Sequence, residues 1–260
     1  MMKPAWGLPI AIVLVASAVP LAQVLRDRGG ERGTLTLSHK ELMVQWQDFD
    51  ENSGMLLGWR WLTPPTLDSV PEPFVADLGI RCSPDRYSCD FRGRRRAWIV
   101  VALDDESWQQ THDTAQARLD SALALPETDS TRRGQARLAQ EQLEYIDLYT
   151  SRLRMVGVGT DPVALAAEWE GRPHLVLAAR LRAYRTGGPS DTVGGQGPLY
   201  TVHAEPLPPQ VYVPALMAQQ ISDSVGSDRA KFEVTVTIGR SWLPRVDRVV
   251  GQGFVPYQEQ

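Results

Sequence analysis

The chain has 260 residues, 43% of them hydrophobic and 22% charged, with a formal net charge of −4. Those proportions are ordinary for a globular protein and suffice to bury a core, and the mildly negative balance argues against a general nucleic-acid binder.

Residues 4–25, PAWGLPIAIVLVASAVPLAQVL, carry no charged side chain and lie between Lys3 and Arg26. Hydrocarbon offers backbone groups no hydrogen-bond partner, so an apolar run of about 20 residues that closes its own helical bonds matches a bilayer core roughly 30 Å thick. The stretch is expected to be a transmembrane helix, with the lipid bilayer as its partner. Ala16-Ser17-Ala18 has the small-x-small form of a signal-peptidase site. Uncharged residues nevertheless run on to Leu25, giving a spanning length that a cleaved signal does not need, so a retained signal anchor is the expectation. Arg26, Arg28, Arg32 and Lys40 follow the stretch, whereas Lys3 precedes it. Counted literally, the positive-inside rule leaves the body in the cytoplasm, but large domains behind a signal-like helix are exported whatever their flanking charge. Export is the orientation expected.

After a linker over residues 26–33, TLTLSHKELMVQW places Leu35 and Leu37 in one alternating phase and Leu42, Val44 and Trp46 in the other. That phase change predicts a β-bulge near Lys40. Beyond the polar turn DFDENSG, Met55, Leu57, Trp59 and Trp61 alternate again, and the two runs form an antiparallel ribbon. PFVADLGI then reads as a helix ahead of a strand. Cys82 and Cys89 stand in the turn-rich RCSPDRYSC. In an oxidising compartment they would close a small loop, contributing about 2–3 kcal/mol; otherwise they remain two thiols. A zinc site needs further ligands, and no histidine lies close by in the chain.

Basic residues crowd the next stretch, FRGRRRAW, which holds Arg92, Arg94, Arg95 and Arg96. The cluster is a candidate surface for anionic lipid heads or an acidic partner, set against the plainer role of keeping a strand edge from pairing. AWIVVAL (97–103) is apolar on both faces and should be a central strand. The period then lengthens. Trp108, His112, Ala115, Leu119 and Ala122 share one helical stripe that Pro126 ends, and a second helix from Asp129 or Ser130 turns Ala136, Ala139, Leu143, Ile146 and Tyr149 inward. Arg137 and Glu141 pair at i,i+4 on its outer side.

The order helix then strand recurs in DPVALAAEW before PHLVLAARLRAYR, and in VPALMAQQISDS before KFEVTVTIG. Between the strands ending at Tyr184 and beginning at Leu199 lies a Gly-rich hairpin loop, RTGGPSDTVGGQGP. The pattern predicts α+β architecture: a mainly antiparallel sheet with helices packed on one face, preceded by one transmembrane helix.

Candidate chemistry is sparse. Asp104, Asp105 and Glu106 stand where a central strand meets a helix, a place where catalytic carboxylates sit, but capping of the helix N-terminus is the stronger reading. His112-Asp113 resembles a metal-binding dipeptide, but His112 belongs to the apolar stripe. His174 and His203 could face one another across the Gly-loop hairpin and would supply half a metal site. VGVGTDPVALAA offers a GxG before a helix, yet Asp161 as N-cap and Pro162 at the first helical position explain the same letters without a ligand.

TLTLSHKEL with ENSGMLLGWRW, FVADLGI, RRAWIVVALDDESWQ and the late FEVTVTIG resembles a family of uncharacterised bacterial membrane-anchored proteins, a domain of unknown function. The likeness covers Thr34 to about Pro244. It implies an N-terminal membrane helix and one α+β domain, and it transfers no catalytic, cofactor-binding or metal-binding residue. The expected organisation is therefore an anchor at 4–25, one extracytoplasmic domain at 34–244 and a C-terminal tail at 245–260. The expected role is that of a non-catalytic binding or structural subunit of an envelope assembly in the bacterial inner membrane, with a membrane-protein partner, no nucleic acid and no cofactor. The alternatives are an envelope hydrolase using Asp104, Asp105 or His112, and a secreted small-ligand binder if the leader is cleaved.

Overall fold

The computed structural model describes residues 31–45, 55–83, 88–91, 96–186, 198–213 and 231–252. The chain enters through β1 (Gly33–Ser38), turns at His39–Glu41 and leaves as β2 (Leu42–Gln45). β3 (Met55–Trp59) pairs back on β2 with Leu42 opposite Trp59. β4 (Thr66–Pro71) runs into the short α1 (Glu72–Asp77), and β5 (Ile80–Cys82) with β6 (Ser88–Phe91) forms a hairpin. β7 (Ala97–Leu103) leads into two helices, α2 (Asp105–Leu123) and α3 (Arg132–Tyr149), before β8 (Leu153–Gly159) returns beside it. α4 (Pro162–Glu168), β9 (Leu175–Thr186), β10 (Leu199–Leu207), β11 (Gln210–Val213), β12 (Lys231–Ile238) and β13 (Pro244–Gln252) complete the order.

The described strands make three antiparallel sheets. Seven strands form the largest, in which β9 is central: β10 lies along one side, and β7 and β6 share the other. The two smaller sheets run β1-β12-β13 and β11-β3-β2. Alternation along β9 explains the architecture. Leu175, Leu177, Ala179, Leu181 and Ala183 point into one core, where they meet Leu35 and Leu37 of β1, Leu57 of β3, Val211 of β11 and Val234 and Val236 of β12. Side chains from all three sheets thus share one interior, each buried leucine contributing about 1.5–3 kcal/mol. Val176 and Ala178 point the other way and are covered, with Trp98 and Val100 of β7, by Leu165 of α4. Past Ala178 the outer face of β9 is bare and carries Arg180 and Arg182, which is why the strand begins as an apolar run and ends alternating.

Helix period places α2 and α3 against each other: Ala115 of α2 packs on Leu143 and Ile146 of α3, with Trp108 and Leu119 at the margin. Asp104 starts α2 by accepting from the Ser107 N–H at 2.9 Å, and Arg137 meets Glu141 at 3.5 Å on the outer side of α3. This pair has its own small core, separate from the interior of the sheets.

Four expectations need correction. The phase change near Lys40 is a corner and not a bulge, because β1 belongs with β12 and β2 belongs with β3. The segment assigned to a tail from 245 onwards contains β13, whose Val246 and Val249 stand opposite Val236 and Val234 and lie in the main core; Arg245, Asp247 and Arg248 on its other face hide the strand in the sequence. At the other end the fold begins inside the expected linker, since the Arg32 N–H already donates to the Ile238 carbonyl at 2.8 Å. The helices are not gathered on one face either: Val75 of α1 joins the main core, and Leu165 of α4 covers the opposite side of the large sheet. Both faces of β7 and of the first half of β9 are apolar, so both need a cover.

Among the described residues no helix is long and apolar enough to cross a membrane. The stretch 4–25, the run VPALMAQQISDS, the Gly-rich loop from 187 to 197 and Arg92, Arg94 and Arg95 lie outside the described residues.

Candidate functional site

Among the described residues, a dense polar constellation lies at the corner between β1 and β2. Glu41 there has 0% exposure, the only acidic side chain among the described residues to be buried. A carboxylate survives such burial only if hydrogen bonds replace its water. Glu41 accepts from the Ser38 N–H at 2.8 Å and the Ser38 hydroxyl at 2.6 Å. From just before β8, Arg152 gives three more bonds: its backbone N–H at 3.0 Å, Nε at 3.1 Å and Nη2 at 3.2 Å. Burial pushes the Glu41 carboxyl up, and the hydrogen bonds and charge of Arg152, with those of Ser38, outweigh it and hold the group below its ordinary value. The fork of Arg152 reaches past Glu41 to Asp105 at 3.1 Å, so the first turn of α2 is tied to the same corner.

Beside this pair, Lys40 lays its ammonium 4.1 Å from the ring centroid of Trp108, which stacks in turn on His112 at 5.3 Å. Asp147 of α3 stands 3.9 Å from both Lys40 and His112. Burial lowers the Lys40 pKa, and the charge of Asp147 partly restores it. His39 packs edge-on to Phe232, and its Nε2 is buried without a hydrogen-bond partner among the described residues. Burial, then the like charges of Lys40 and Lys231, push its imidazole down to about 4. A cleft of about 490 Å³ opens here, with Ser38, His39 and Lys40 on one wall, Trp108 and Arg152 on another and Phe232 on a third.

The candidate acid–base groups are each engaged in a structural contact. Asp104 accepts from both the N–H and the hydroxyl of Ser107 at 2.9 Å and pairs with Arg154; the Ser107 N–H is the main cause that holds its carboxyl below the usual range. Asp105 is paired with Arg152, and of the three groups it is the one that lines the cleft. His112 is held between Trp108 and Asp147. Glu41 and Arg152 were not singled out in the sequence. The one signal available was a glutamate at the point where the apolar phase changes.

His174 and His203 do not face each other. The register puts His203 opposite Arg182, with Tyr184 edge-on to its ring at 4.9 Å, while His174 lies before β9 with Nδ1 2.8 Å from the Arg172 carbonyl. Among the described residues no group of three or more His, Cys, Asp or Glu is placed to hold a metal ion. Gly157 and Gly159 lie under Leu165, and a Cβ on Gly159 would come within 3.4 Å of it, so the GxG lets α4 sit close to β8. Asp161 caps α4 by accepting from the Val163 and Ala164 N–H groups. Cys82 and Cys89 are directly opposite in the β5–β6 register and are joined by a disulfide. Of the arginine cluster, Arg96 alone is described, and it is exposed.

A family model described as a domain of unknown function, DUF4824, matches residues 16–246. The chain belongs to the DUF4824 family. The match begins within the uncharged N-terminal stretch and ends in β13, so it takes in the charged corner, both helices of the α2–α3 pair and the disulfide hairpin. No curated protein and no solved structure matches the DUF4824 chain.

Proposed function

We propose that this DUF4824 protein is a membrane-tethered, non-catalytic binding or structural subunit of an envelope assembly. The observation that carries the reading is the engagement of its candidate acid–base groups: Asp104 caps α2, Asp105 fastens Arg152, and His112 is stacked on Trp108 beside Asp147. A general acid or base needs a free lone pair or proton aimed at substrate; Asp104 and Asp105 are instead turned to Ser107, Arg154 and Arg152, and the His112 ring is packed on Trp108 with its Nδ1 buried. The tether rests on the uncharged run at 4–25. The Cys82–Cys89 disulfide supports an oxidising, extracytoplasmic compartment.

Fractionation tests the tether. Full-length protein should stay in the membrane pellet through an alkaline wash, and a chain lacking residues 4–25 should be released. A full-length chain recovered in the soluble fraction with its leader intact would overturn the proposal. Cross-linking in membranes tests the rest: an Asp105→Asn, His112→Gln variant should trap the same partner as the natural chain and keep its cellular role. Loss of that role with folding and cross-links intact would favour the hydrolase.

A further inference from the structure

We infer that the turn between β12 and β13 lies on the anionic lipid surface beside the point where the N-terminal anchor enters the domain, with Leu243 inserted among the headgroups and Trp242, Arg32 and Arg240 at the phosphate level. This deepens the tethered reading and rests on it.

The argument starts from where the described chain begins. Arg32 is hydrogen-bonded to Ile238, the last residue of β12, and Gly33 stands opposite Ile238 in the register. The chain therefore enters the fold at the β12–β13 turn. Residues 26–31 separate Arg32 from the uncharged run, and six residues at full extension cover roughly 20 Å. An anchor at 4–25 thus holds this turn close to the bilayer, on whichever side the domain lies.

The chemistry of the turn suits that place. Trp242 adopts φ 58°, a left-handed conformation that bulky side chains rarely take, and its N–H donates back to the Gly239 carbonyl at 3.0 Å. Its ring packs on Trp98 at 5.3 Å and carries the Arg32 guanidinium 4.6 Å from its centroid. The next residue, Leu243, is left 56% exposed at the tip. An exposed leucine, an indole at its base and arginines around it are the side chains that settle at a membrane–water boundary: the leucine enters the acyl margin, the indole stays at headgroup depth and the guanidinium binds phosphate. The local charge is complementary to anionic lipid. Arg32, Arg240 and Arg245 surround the turn against two acids, Glu31, which accepts from the Thr34 hydroxyl, and Asp247, which is occupied by the Thr237 hydroxyl and by Arg245, so the balance is positive. By contrast the α2–α3 pair is fastened at the other end of β1, beside Lys40, and its exposed Leu138 should stand clear of lipid.

The test uses the full chain reconstituted into vesicles containing phosphatidylglycerol. Both native cysteines are in the disulfide, so Leu243→Cys, and separately Leu138→Cys, each supply a single thiol for a small fluorophore. Quenching by a lipid with a nitroxide on its headgroup is read on protein that has survived an alkaline wash. Severalfold stronger quenching at position 243 than at 138 is expected. Equal quenching at the two positions in washed, retained protein overturns the contact and leaves the tether standing. Protein stripped by the wash overturns the tether, and the contact with it.

Discussion

Arg152→Met is the most informative single change in the fold. It keeps the aliphatic stem and the backbone N–H that reaches Glu41 but deletes the Nε and Nη2 bonds to that carboxylate and the Nη1 bond to Asp105. Glu41 is then a fully buried charge held by Ser38 and one backbone N–H alone. Removing one partner of a buried ion pair costs about 3–5 kcal/mol, which for a domain of this size lowers the melting temperature by roughly 6–20 °C. Denaturant unfolding of detergent-solubilised full chain, followed by tryptophan fluorescence, measures the loss. The pH dependence carries the sign. In the natural chain Glu41 is depressed below 4.5, so its contribution is present above that value and is lost as the pH falls through the folded-state pKa. In the variant burial dominates and raises the group, so the penalty is largest near neutrality and the gap to the natural chain narrows in acid. Adding Glu41→Gln to Arg152→Met should recover part of the loss at neutral pH, since no charge is left unpaired. A cost below about 1 kcal/mol, the size of an exposed pair, would refute the reasoning by showing the corner to be solvated.

Two further outcomes follow from the same corner. His39 is neutral in the fold with its pKa pushed down to about 4 from 6.5, so the stability it contributes is complete above 6.5 and lost as the pH falls towards 4; His39→Phe should flatten that acid branch in unfolding measurements between those values. Asp104→Ala removes the cap of α2 and should cost about 1 kcal/mol while leaving the β-sheet signal in circular dichroism unchanged, and a loss several times larger would mean that its pairing with Arg154 matters more than the cap.

Periodicity carried the parts of this fold that a short window can report. The stripe Trp108, His112, Ala115, Leu119 and Ala122 is visible because α2 packs on a neighbour next to it in the chain, and AWIVVAL is visible because both of its faces are covered. The corner at Lys40 misreads as a bulge, since a one-residue phase change looks the same whether the strand kinks within one sheet or leaves for another. β13 is hidden for a related reason. Arg245, Asp247 and Arg248 face solvent while Val246 and Val249 face the core, and the register shift between Thr235 and Val236 breaks the strict alternation that a reader follows. Glu41 and Arg152 are 111 residues apart, and each alone resembles an ordinary solvated charge.

The burial of a charge at this corner has a structural cause. Where β1 and β2 part for different sheets, the ladders end and backbone donors are left without strand partners. The N–H groups of Ser38 and Arg152 both end on Glu41, whose two oxygens can take several donors at once. Ser151 serves the neighbouring gap: its hydroxyl donates to the Arg60 carbonyl and accepts from the Leu153 N–H. A leucine at 41 would fill the space and orphan two amides, at about 1–3 kcal/mol each. The arginine is then needed because an acceptor strong enough to gather those donors is an anion, and an anion there needs a cation. The polar cluster most like an active site in this protein is therefore the joint that lets three sheets share one core.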